Sequence, residues 1–180
     1  MNGSGWVQPV KNLLETAPQF GLVRGDGPTT EARQILRAAE PGNMFRGARA
    51  PEAAVGGLWL LHGGWEEAHT IVQDLGSAEG SYWHAIVHRI EPDSFNSRYW
   101  FSRVGRHPVF EALATEAVLL CSESAGASFA PPPQWDPAAF IRYCDEVRGR
   151  PGSAEHALAV AIQETEWRLL FEYCARANMV

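Results

Sequence analysis

Tyr82-Trp83-His84-Ala85-Ile86-Val87-His88-Arg89-Ile90-Glu91-Pro92-Asp93 is the stretch that decides how the chain folds. Trp83, Ile86, Val87 and Ile90 recur at helical spacing and form one apolar side. His84, His88 and Glu91 stand at i, i+4 and i+7 on a flank of the same helix, over 82–91, with Ser81 as its expected cap. Pro92 stops the helix, because the residue before a proline avoids the helical region. Asp93 or Ser94 caps a second short helix that runs to about Val104, and Gly105 closes it. Asn96, Trp100 and Arg103 share a face there, with Tyr99 beside them. Two short helices joined at Pro92 thus carry a dense set of acids, bases and indole rings.

Upstream, Pro51 opens a helix expected to run to about Leu75. Leu58, Leu61, Trp65, Ala68, Val72 and Leu75 make its apolar stripe. His62, Glu66, His69 and Gln73 make a polar stripe roughly a quarter turn away, with His69 nearest the apolar edge. Gly56-Gly57 and Gly63-Gly64 lower helix propensity by about 1 kcal/mol per glycine relative to Ala. Tolerating them points to close approach of another backbone or of a ligand. Before this helix, residues 1–27 read as an irregular arm with a helical turn or two between Val10 and Thr16. Thr29 or Thr30 caps a helix to about Glu40, ended by Pro41-Gly42.

Downstream, Pro108 starts a helix through Cys121, and residues 122–135 form a proline-rich loop with Pro131-Pro132-Pro133. Asp136 caps a helix through Val147, and Ser153 caps the last, which runs to about Ala177. No stretch has the β-branched alternation of a strand. The expectation is an all-α single domain, 1–180, built as an irregular bundle of about seven helices.

The bulk properties narrow the partners. A net charge of −6 argues against general affinity for nucleic acid or for anionic membrane surfaces. No stretch stays apolar for the ~20 residues that a membrane-crossing helix needs. Met1 to Val10 lacks the basic start and apolar core of a signal peptide, so a cytoplasmic location is expected. Cys121, Cys144 and Cys174 are scattered, as reduced, buried thiols would be.

The central motif also resembles one that is shared by a group of small bacterial and fungal proteins with no settled function. The group carries Trp-His-x-x-x-His-Arg-x-Glu-Pro-Asp followed by Asn-x-x-Tyr-Trp-Phe, matched here from Trp83 to Phe101. An upstream His-x-x-x-Gln is matched by His69 and Gln73. The resemblance covers about residues 55–113, and Ser97 stands where the group has alanine. It implies a shared site but no reaction, so the chemistry rests on the residues.

Three readings of the cluster follow. In the first, His84 and His88 bind one divalent metal, zinc or another transition metal, through the i, i+4 spacing of helical zinc sites. His69 from the preceding helix is the third ligand, with Glu91 as an alternative. Three protein ligands plus water make a catalytic site, and Gln73, Glu66 or Asp93 could orient the ligands. In the second, the site is metal-free: His84 or His88 acts as general base or acid and Glu91 or Asp93 fixes the tautomer. Arg89 and Arg103 hold a carboxylate or phosphate, and Tyr82, Trp83, Tyr99 and Trp100 exclude water or stack on a flat substrate. His107, just before Pro108, caps a helix or lines the rim. In the third, Arg89, Glu91, Asp93 and Asn96 cap and bridge helix ends, the histidines are hydrogen-bonded core residues, and the chain is a structural or interaction protein. The expected ligand is a small polar or anionic molecule. It would sit in a pocket between the 53–75 helix and the two short helices, lined by His69, Gln73, His84, His88, Glu91, Trp100 and Arg103, with Asn96 as a further substrate-binding residue.

Overall fold

Residues 6–177 are described by the computed structural model, and they form ten helices with no strand among them. In chain order these are α1 (Gln8–Glu15), α2 (Thr30–Arg37), α3 (Pro41–Met44), α4 (Pro51–Leu61) and α5 (Trp65–Gln73). Then come α6 (Ala78–Ile90), α7 (Ser94–Val104), α8 (Pro108–Glu123), α9 (Pro137–Val147) and α10 (Ala154–Ala175). The three beyond the expected seven are α1 in the arm, the single turn α3, and a second helix where one was expected over 51–75.

That last difference has a clear local cause. Gly63 adopts φ +75°, a conformation open mainly to glycine, and the chain turns there. The Gly64 N–H donates back to the Trp59 carbonyl at 2.8 Å, which caps α4. The continuous apolar stripe had hidden this break. His62 therefore leaves the polar stripe: it is buried, and its Nε2 meets the Leu13 carbonyl oxygen at 3.0 Å.

α6 is the axis of the molecule. It is buried along its whole length from Gly80 to Ile90, so it is covered on every side. It begins earlier than expected, because Ser77 rather than Ser81 is the cap: Ser77 Oγ accepts from the Gly80 N–H at 3.1 Å. On one side α6 packs on α4, where Trp83 lies against Gly57. A Cβ on Gly57 would stand 2.6 Å from the Trp83 ring, so only glycine leaves room for the indole. Trp167 of α10 closes this layer by donating to the Gly57 carbonyl at 2.8 Å.

A buried polar network ties α6 to α10. Arg89 forms a short ion pair with Glu166, and its Nε donates to Gln163 Oε1 at 3.1 Å. The Tyr82 hydroxyl donates to the other Glu166 oxygen at 2.9 Å. Both charged side chains are essentially inaccessible, at 1% and 0% exposure. Further hydrogen bonds offset part of the cost of burying the pair, while Arg89 Nη1 has no hydrogen-bond partner and the guanidinium lies 4.7 Å from the Phe140 ring centroid. A second apolar cluster, around Leu113, Phe140, Cys144 and Ile162, packs α8, α9 and α10 together. Cys144 and Cys174 are buried as expected, and burial pushes both thiols up to about 12.

Candidate metal centre

α5 and α6 run antiparallel across the turn at 74–77. Trp65 donates from Nε1 to the Val87 carbonyl at 3.0 Å, while His69, one turn later on α5, meets His84, one turn earlier on α6. The two helices thereby bring three histidines together. His69 Nε2 and His84 Nε2 stand 3.1 Å apart, and the His69 ring is 5.3 Å from that of His88. His84 and His88, one helical turn apart, lie stacked with centroids 4.8 Å apart.

One donor atom from each of His69, His84 and His88 lies within 4.8 Å of the others. Two ligands on one tetrahedral ion with ~2 Å bonds stand about 3.3 Å apart, a spacing that the His69–His84 pair matches at 3.1 Å. The surroundings fit as well. His88 Nδ1 is held by Glu91 Oε2 at 3.0 Å, which leaves its Nε2 as the nitrogen available to an ion. A carboxylate that fixes the far nitrogen of a ligating histidine is the common supporting contact in metal sites. His84 is 3% exposed, and its Nδ1 is buried with no hydrogen-bond partner.

Electrostatics favour the neutral form of two of the three histidines. Burial, aided by His88 and His69 beside it, pushes the His84 imidazole down to about 3. Burial and then the His88 neighbour also lower His69. Neutral imidazoles offer the lone pair that a metal needs.

Two indoles enclose the pair. Trp100 of α7 lies flat on His84, with centroids 3.9 Å apart and planes 23° from parallel. Trp65 lies flat on His69 at 5.0 Å and 21°. Each indole is in turn faced by an arginine. The Arg24 guanidinium sits 3.4 Å from the Trp65 centroid, and that of Arg103 lies 5.6 Å from the Trp100 centroid. Arg24 also makes a short ion pair with Glu91 Oε1, so Glu91 bridges Arg24 and His88.

The other expected site residues divide in two. Tyr99 packs edge-on to Trp100 at 5.4 Å and is half exposed. Asp93 caps α7, accepting from the Asn96 backbone N–H at 3.1 Å and from its side-chain amide, and that backbone bond holds the Asp93 carboxyl below its usual range. Asn96 is therefore engaged at the helix start. Gln73 is exposed, one turn beyond His69. Arg89 and Trp83 do not join the cluster: the first is in the buried network with Glu166, the second in the layer with Trp167. Each follows or precedes a histidine by one residue, and a step of one turns the side chain by about 100° around the helix. His107 also lies apart, capping α8 through Nδ1 and packing on Tyr82 and Tyr173 at 5.2 and 4.7 Å.

A hollow of about 1090 Å³ opens between α7, α8 and the segment 132–138, walled by Phe101, Phe110 and Trp135. Of the expected site residues only His107 lines it.

Two contributors escaped the sequence reading. Arg24 lies in the glycine-rich arm, 67 residues from Glu91, where no periodicity marks it. Glu166 did carry a signal: with Gln163 it is one of two polar residues among the buried apolar positions of α10, such as Ile162, Trp167 and Leu170.

Comparison with known proteins found no match among family models, curated proteins or solved structures.

Proposed function

We propose that the protein is a metal-dependent enzyme whose ion is held by His69, His84 and His88. The observation that carries this is the meeting of His69 and His84, nitrogen to nitrogen at 3.1 Å, beside a His88 oriented by Glu91. Three neutral nitrogen ligands leave one or more coordination positions for water or substrate. A bound divalent ion would lower the pKa of its water toward ~7 and polarise a substrate oxygen. Within this reading His69, His84 and His88 bind the ion, and Glu91 fixes the His88 ring. Trp65 and Trp100 exclude bulk water from two sides. Tyr99 and Arg103 stand at the outer edge, where a small polar or anionic molecule would approach. The chemistry that suits this set is a hydrolytic or proton-transfer step.

The test is elemental analysis of the purified protein alongside His84→Ala and His69→Ala. Near-stoichiometric zinc, manganese, iron or nickel that both substitutions remove is the expected result. A metal-free wild type that also fails to take up added ions would leave a histidine pair acting by proton transfer alone.

A further inference from the structure

We infer that Arg24 is the anion-recognition residue of this metal site, so that its substrate is a small carboxylate or phosphate-type anion. The inference rests on the three-histidine reading above. It starts from the way the arm is fastened. Phe20 donates its backbone N–H to Glu164 Oε1 at 3.2 Å, and Gln163 Nε2 donates to the Gly21 carbonyl. Arg148 Nε donates to the Leu22 carbonyl at 3.2 Å. Three consecutive residues are thereby fixed to α10 and to the end of α9. Two positions later, Arg24 reaches the histidine cluster.

Its guanidinium is placed as a receptor would be. Trp65 supports it from below at 3.4 Å, and the Trp65 ring is itself fixed by its bond to Val87. Glu91 engages Nη2 alone, while Nε and Nη1 have no bonded partner among the described residues. The Arg24 side chain is 42% exposed, so these donors can be reached from outside. A guanidinium presents its N–H groups as a planar fork that matches the two oxygens of a carboxylate or phosphate.

Charge balance gives the sign of the ligand. Three neutral imidazoles leave the charge of a divalent ion uncompensated. Glu91 is shared between Arg24 and His88, and Asp93, bonded to the neutral Asn96 amide, supplies one further negative charge that Arg103 balances. Glu67, on α5, is paired with Arg33 at 2.7 Å. Arg103 stands over Trp100. The loaded site would carry a clear positive excess, which favours an anion over a neutral or cationic molecule. One oxygen of that anion would bind the ion, and another would take the Arg24 fork in competition with Glu91.

The experiment uses the full chain loaded with cobalt(II), whose visible absorption responds to a new ligand. Acetate, methylphosphonate and neutral acetamide are titrated separately. Acetate and methylphosphonate should perturb the spectrum and acetamide should not, and the tighter of the two anions tells carboxylate from phosphate-type substrates. Arg24→Gln should weaken anion binding about tenfold, the worth of one charge-assisted hydrogen bond, with cobalt affinity unchanged. Glu91→Gln, which removes the competing carboxylate, should tighten anion binding. A merely structural Arg24 would not give these opposite effects. Anion affinity unaltered in Arg24→Gln, or no response of the cobalt protein to either anion, overturns the inference while the metal site stands. Failure of wild type to bind cobalt, or unchanged binding in His84→Ala, overturns the metal reading and this inference with it.

Discussion

His69 and His84 face each other across two antiparallel helices with ring planes at 90° and their Nε2 atoms 3.1 Å apart. With both rings neutral, one nitrogen can donate to the other, yet His84 Nδ1 then remains buried without a partner. The two Nε2 atoms are also close enough to share a cation. Added zinc should therefore raise the melting temperature of wild type, with a gain of about 2.7 kcal/mol once free zinc is a hundred times its dissociation constant. His69→Ala and His84→Ala should lose the response. His107→Ala and His62→Ala should keep it, because both side chains are placed elsewhere. A thermal shift that survives in His84→Ala would show that zinc binds at some other place.

The pair Arg89–Glu166 makes a second prediction, on stability. Removing one partner leaves a charge uncompensated in the core, which costs about 3–5 kcal/mol. Arg89→Ala and Glu166→Ala should each lose that much in urea denaturation. Arg89→Met combined with Glu166→Leu should lose less than either single substitution, since no charge is then stranded. Equal or greater loss in the double variant would mean that the network contributes net stability beyond its own charges.

Gly57 gives a third. Its missing side chain makes the seat of Trp83, and an alanine Cβ would come within 2.6 Å of the indole. Overpacking of this kind costs roughly 1–3 kcal/mol. Gly57→Ala should lower the denaturation midpoint by that amount. A neutral or stabilising result would show that the Trp83 ring can shift.

The sequence was most informative where one helix carried the whole pattern. The i, i+4 pair His84 and His88, the proline stop and the Asp93 cap can all be read within a single stretch, and the structure places them so. His69 could be joined to them because a short turn forces the preceding helix to lie antiparallel. Sequence neighbours misled in the opposite way: Arg89 and Trp83 flank the histidines in the chain but face the core. The break at Gly63 was masked because the apolar spacing continues through it. Arg24 was out of reach for another reason. Its place depends on three hydrogen bonds from α10 and the end of α9 to a segment with no pattern of its own.

The last prediction concerns acid. Burial lowers His84 to about 3, and also lowers His62, His69 and His107 below the ordinary histidine value. In the unfolded chain these imidazoles titrate near ~6.5. Between that pH and the folded values, the unfolded state holds more protons than the native state, so native stability rises with pH in this window. The stabilisation is fully present above ~6.5 and is lost as pH falls from there toward 3. Each buried neutral histidine contributes a slope of up to about 1.4 kcal/mol per pH unit. The loss of the Asp93 cap enters only further down, since that carboxyl is held below its usual range. Urea denaturation of chelator-treated protein at pH 7.5, 6.0 and 5.0 measures the slope directly. Stability should fall at each step, and His84→Asn should give a shallower dependence. Adding zinc should steepen it, because protons and the ion compete for the same nitrogens. Stability that is flat from pH 7.5 to 5.0 would mean that these histidines take up protons in the fold as they do in the unfolded chain, so that burial does not hold them neutral.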